Sequence, residues 1–229
     1  MIFKKITIFC FLICLIFSKF PDAIGYNGMV VSSNEYASEI GLNILKKGGN
    51  AIDAAVGVSF ALAVVHPGAG NIGGGGFMVI RTSDGEVTTI DFREKAPSNA
   101  TKDMFLDDSL NVVPGKSWST SLATGVPGSV AGMWMAHEKF GTKPWYDIIR
   151  PSIHLAQYGF KLDPLNVSYL NSNYYKSFLS NDEETRKIFT KKSNYKIGEL
   201  FFQQDLANTL RRIAFSGRDG FYKGETAQN

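Results

Sequence analysis

Residues 47–67 read KGGNAIDAAVGVSFALAVVHP, and their order decides the fold. Asn50 can accept bonds from the first free amides of a helix, and Asp53, three positions on, can accept from the amide of Asn50 itself, as in a capping box. From Ala51 to Val65 almost every residue is small or apolar, so the segment predicts a helix buried on all sides. Pro67 disfavours helix at His66 and sets the end. Upstream, residues 34–47 place Ala37, Ile40, Gly41, Ile44 and Leu45 on one face, with Glu35, Glu39, Lys46 and Lys47 elsewhere. That spacing predicts an amphipathic helix, stopped by Gly48-Gly49.

Downstream, a glycine-dense loop from Gly68 to Gly76 leads into the strand Phe77-Met78-Val79-Ile80. Asp84-Gly85 is a tight turn into a second strand, Val87 to Arg93, so the pair reads as an antiparallel hairpin. Ile90 and Phe92 face one way and Asp91 and Arg93 the other. The remainder is mostly helical. One helix opens at Pro127, carries Val130, Trp134 and His137, and stops at Gly141; another runs from near Pro144 with a kink at Pro151. Residues 163–190 predict two polar helices, and Gln204 to Phe215 a last amphipathic one. Gly217-Arg218-Asp219-Gly220 reads as a turn. Gly224 to Gln228 looks like the opening of another helix, and its break-off reads as truncation.

The 229 residues are 44% hydrophobic and 20% charged, an ordinary globular composition. Residues 1–25 read as a secretory signal: a basic start at Lys4-Lys5, an uncharged run from Ile6 to Phe17, and small residues at Ala23-Ile24-Gly25. That run is shorter than the roughly 20 residues a bilayer core needs, so no stable membrane anchor is expected once the signal is cleaved. Without Lys4, Lys5, Lys19 and Asp22 the chain keeps 21 basic and 20 acidic residues, which gives no reason to expect a nucleic-acid partner. Both cysteines, Cys10 and Cys14, lie in the signal, so residues 26–229 carry no disulfide or cysteine site. A periplasmic or secreted location follows. Asn99-Ala100-Thr101 and Asn166-Val167-Ser168 match the glycosylation pattern, which short triplets often do by chance.

Gly68-Ala69-Gly70-Asn71-Ile72-Gly73 is a literal G-x-G-x-x-G. A dinucleotide site needs a strand before that loop and a helix after it; here the order is inverted, which argues against one. The four glycines Gly73 to Gly76 are either a crossing against packed backbone or a loop whose bare amides face a ligand. His66, His137 and His154 lack metal-ligand spacing. Gly128-Ser129-Val130-Ala131-Gly132 approaches a nucleophile elbow but reads as a helix start. Arg93 is either a surface partner of Asp91 or a two-pronged clamp for a substrate carboxylate.

An ordered set of motifs carries a family likeness: KGGNAIDAAV at 47–56, His66-Pro67, NIGGGGFM at 71–78, DFREKAP at 91–97, Asp103-Met104-Phe105, Gly125-Val126-Pro127-Gly128 and GFYKG at 220–224. Residues 26–229 thereby resemble the N-terminal portion of a γ-glutamyltranspeptidase large subunit. The resemblance implies an N-terminal-nucleophile hydrolase with an αββα sandwich, α/β in class and incomplete in this stretch. It implies a precursor that cuts itself into large and small subunits, with no metal or organic cofactor. The small subunit's leading threonine would attack γ-glutamyl amides such as glutathione. It also gives Arg93 the role of gripping the glutamyl α-carboxylate, and no threonine here the role of nucleophile. A related acylase and a non-catalytic secreted binding protein are the competing readings.

Overall fold

The computed structural model describes residues 23–180 and 182–228, so the signal expected over residues 1–25 lies almost wholly outside the described residues. Helix α1 (Glu35–Lys46) and helix α2 (Ala51–Val65) form as the sequence indicates. Asn50 Oδ1 accepts from the amides of Ile52 and Asp53, and Asp53 Oδ2 accepts from the amide of Asn50. Val56, Phe60, Ala61, Val64 and Val65 of α2 are fully buried. They are enclosed by α1, by α3 (Ser129–Phe140) and by α4 (Trp145–Tyr158). Trp145 packs edge-on against Phe60 and Trp134, and its indole N–H reaches the carbonyl of Ile213 in α8 (Gln204–Ser216) at 2.9 Å. That bond fixes α8 to the far side of α4.

Both ends of α2 are closed by side chains from elsewhere. At its start the Asp53 carboxylate is fully buried and also accepts from Thr142 Oγ1 (2.6 Å) and the Thr142 amide (3.0 Å). At its end Gln203 Nε2 donates to the Val64 carbonyl (2.7 Å), while Asn34 and Asn166 donate to that of Val65 (3.3 and 2.9 Å). Asn166 is buried in this role, so its glycosylation triplet is a chance match.

Strands β1 (Phe77–Arg81) and β2 (Val87–Asp91) pair antiparallel with Phe77 opposite Asp91 and Arg81 opposite Val87. Ile80 and Ile90 pack inward on Ala136 beside Phe92, whereas Phe77, Val79 and Val87 lie exposed on the outer face. The remaining strands, β3 (Phe160–Lys161) and β4 (Leu200–Phe201), form a second two-stranded sheet the sequence did not announce. Residues 163–190 hold three short helices rather than two: α5 (Pro164–Asn171), α6 (Asn173–Leu179) and α7 (Glu183–Phe189). The break falls at Ser172, an extended residue that closes α5. Helices α9 (Asp219–Tyr222) and α10 (Glu225–Gln228) follow α8, so the turn expected at 217–220 merges into a short helix.

The glycine loop crosses packed backbone. Gly74 O accepts from the amides of Gly128 and Ser129 (2.7 and 2.9 Å), and Gly76 O from that of Phe92 (3.0 Å). A Cβ on Gly128 would overlap the Phe92 carbonyl, and one on Gly132 would enter the Phe92 ring. Gly73 is different: nothing would meet its Cβ within 4 Å. The crossing reading therefore holds for the Gly74–Gly76 end, and Gly73 alone faces open space.

Two outcomes follow from this packing. Gly128→Ala is expected to lower unfolding stability by about 1–3 kcal/mol through forced displacement of Phe92, and Gly73→Ala to change it by less than about 0.5 kcal/mol, in urea titrations. Burial pushes the Asp53 pKa up, but bonds from Thr142, Asn50 and Lys143 outweigh it, and the net value lies below the ordinary 3.8. A depressed carboxylate stabilises the fold above its unfolded pKa and loses that contribution as pH falls through the folded value. Asp53→Ala is therefore expected to cost about 2 kcal/mol at neutral pH and to flatten the acid limb of a stability–pH profile.

Candidate functional site

Arg93 leaves β2 two residues past its end. Asp91 and Arg93 point away from the Ile90 and Phe92 side, as the alternation requires, and Arg93 is exposed. The Asp91 carboxylate accepts from the backbone amide of Arg93 at 3.0 Å. Among the described residues no carboxylate lies within 4.0 Å of the Arg93 guanidinium, so the surface ion pair between the two does not form.

The chain then makes a long excursion and returns, Lys95 pairing with Val126 through bonds of 3.2 and 2.7 Å. That return sets Pro127 and Gly128 beside Arg93 and opens a groove of ≈ 260 Å³. Arg93, Lys95 and Arg218 supply its positive charge, Asp91 its one carboxylate, and Met135 and Val126 its apolar wall. Tyr222 closes one side. Its hydroxyl donates to the Pro127 carbonyl (2.7 Å) and accepts from the Ala131 amide (3.2 Å), tying the start of α3 to α9. Burial raises the phenol above its ordinary 10.0, against the lowering pull of the Ala131 amide and Arg218, so it stays a donor at neutral pH. The Arg218 guanidinium sits over its ring at 4.8 Å from the centroid.

The sequence pointed to Arg93 and missed the rest of the groove. GFYKG at 220–224 was visible as a motif, but nothing local indicated that Tyr222 reaches back 95 residues to Pro127. Ser129 is buried at the start of α3, where it acts as a helix N-terminus and not as an elbow nucleophile. His137 packs against Trp145, with Nε2 2.7 Å from the Lys143 carbonyl. Among the described residues no three His, Cys, Asp or Glu side chains gather in a way that could hold a metal ion. No helix among them is long and apolar enough to cross a membrane.

Comparison with known proteins places these features. The glutathione hydrolase proenzyme of Pseudomonas sp. (strain A14) is 52% identical over 202 residues, which cover 88% of this chain and 35% of that protein. The proenzyme of the same name from Escherichia coli (strain K12) is 48% identical over the same shares. The chain thus spans about a third of the length of these relatives. The crystal structure of Helicobacter pylori γ-glutamyltranspeptidase superposes with a TM-score of 0.86 at 48% identity, over 91% of this chain and 60% of that one. The fold is that of the N-terminal-nucleophile hydrolases, of which the described residues supply helices and two two-stranded antiparallel sheets. The family description gamma-glutamyltranspeptidase fits residues 37–229, and the chain belongs to the γ-glutamyltranspeptidase family.

Proposed function

We propose that residues 26–229 are the N-terminal portion of the large subunit of an exported γ-glutamyltransferase and glutathione hydrolase, and that Arg93 holds the α-carboxylate of the γ-glutamyl group. The observation that carries the role of Arg93 is its free guanidinium: Asp91 is engaged by the backbone amide instead. The backbone on either side is held by the glycine crossing and by the Lys95–Val126 pairing. A guanidinium held at its root and unpaired at its tip suits a planar carboxylate, which it meets with two parallel bonds. Lys95 and Arg218 along the groove favour an anionic substrate.

In this reading the chain binds and orients, and the bond is broken by a threonine at the head of a small subunit from the same precursor. Its hydroxyl attacks the γ-glutamyl amide carbon, the amine departs with a proton, and an acyl ester forms. Water or an acceptor amine then resolves the ester. Arg93 contributes by fixing the glutamyl end, so that the amide carbon meets the nucleophile in one orientation. A periplasmic or secreted location belongs to the same reading and rests on the signal-like residues 1–25.

The test is kinetic. In the longer protein after cleavage into subunits, Arg93→Ala is expected to cost about 2 kcal/mol or more of substrate binding, roughly a 30-fold rise in KM for a γ-glutamyl anilide. Arg93→Lys is expected to recover little of it, because a point charge cannot form the paired bonds. An unchanged KM in Arg93→Ala removes Arg93 from the site. The 229-residue chain alone is expected to release no aniline from that substrate, and turnover by it would place the nucleophile within these residues.

A further inference from the structure

A second groove, of ≈ 440 Å³, lies between the end of α1 and the first two turns of α4 and shares no lining residue with the groove around Arg93. Ile40, Ile44, Ile148 and Pro151 make it apolar. Lys47, Lys143 and Arg150 line it with three positive charges against the single carboxylate of Asp147. Among the described residues none of these cations has a carboxylate within 4.0 Å.

The cations are not needed to finish α1. Its closing carbonyls, Asn43, Ile44 and Leu45, already accept from the amides of Lys47, Gly49 and Gly48. The negative end of α1 and the positive start of α4 both border the space, so the helix dipoles offset and the net field comes from the side chains. Lys143 is fixed at its root: its amide reaches buried Asp53 at 3.4 Å, and its carbonyl lies 2.7 Å from His137 Nε2. A volume of this size, part apolar and part cationic, matches a small ligand that carries a hydrocarbon body and one anionic head.

We propose that this groove binds a small anionic amphiphile, a carboxylate or phosphate monoester on an aliphatic chain. The head pairs with Lys143 and Arg150, and the chain lies on the partly exposed Ile40 and Pro151, above the buried Ile44 and Ile148. Asp147 disfavours cationic amphiphiles of the same length. Isothermal titration of the longer, processed protein with dodecanoate, below its micellar concentration, is expected to show one saturable site. Dodecyl phosphate is the second arm, and the tighter of the two identifies the head. Lys143→Ala/Arg150→Ala is expected to weaken binding at least about tenfold. Arg150→Glu, at an exposed helix position, is expected to do the same and guards against loss of fold in the double variant. Equal affinity in these folded variants would overturn the proposal, as would equal binding of dodecyltrimethylammonium. Absence of a saturable site in that protein would also overturn it, by making the groove an internal packing surface.

Discussion

A helix buried over most of its length must find protein partners for its terminal amides and carbonyls. Helix α2 is such an element, and the fold is arranged around satisfying its two ends. Asn50 and Asp53 close the first turn, and the same Asp53 carboxylate takes the Thr142 amide and hydroxyl. One buried charge thereby joins α2 to the connection between α3 and α4. At the other end Gln203, Asn34 and Asn166 converge on the Val64 and Val65 carbonyls. These bonds matter more by being obligatory than by their net strength, since an unmet buried polar group costs about 1–3 kcal/mol.

The hairpin depends on the same helix at one remove. Ile52 of α2 and Ala136 of α3 receive Ile80 and Ile90, and Phe92 lies beside them. Phe92 comes so close to Gly128 and Gly132 that a side chain at either position would have to displace it. Two glycines on α3 and its cap thus decide where Arg93 emerges. Packing that leaves no room for a Cβ resists drift, and the Arg93 guanidinium it carries keeps its place.

Local chemistry was legible in the sequence, and long-range closure was not. The capping box, the buried character of α2, the hairpin and the side on which Arg93 projects all follow from residues within a few positions of one another. The partners of the α2 carbonyls lie 31, 101 and 139 residues away, and no short pattern marks them. Strands β3 and β4 are two residues each, too short to show alternation. Residues 163–190 lack an apolar period, so Ser172 did not stand out as a break between helices. Around Arg93, the contributions of Tyr222, Arg218 and Met135 depend on how α3 and α9 meet, which composition does not encode. The family likeness reached Arg93 from ordered motifs, and the geometry adds that Asp91 leaves the guanidinium free.

The most direct measurement is a crystal structure of the mature two-subunit enzyme with glutamate bound. The α-carboxylate is expected in paired hydrogen bonds with the Arg93 guanidinium, while Phe92 remains against Gly128 and Gly132. Glutamate bound with its α-carboxylate on other groups, and Arg93 beyond hydrogen-bonding distance, would contradict it.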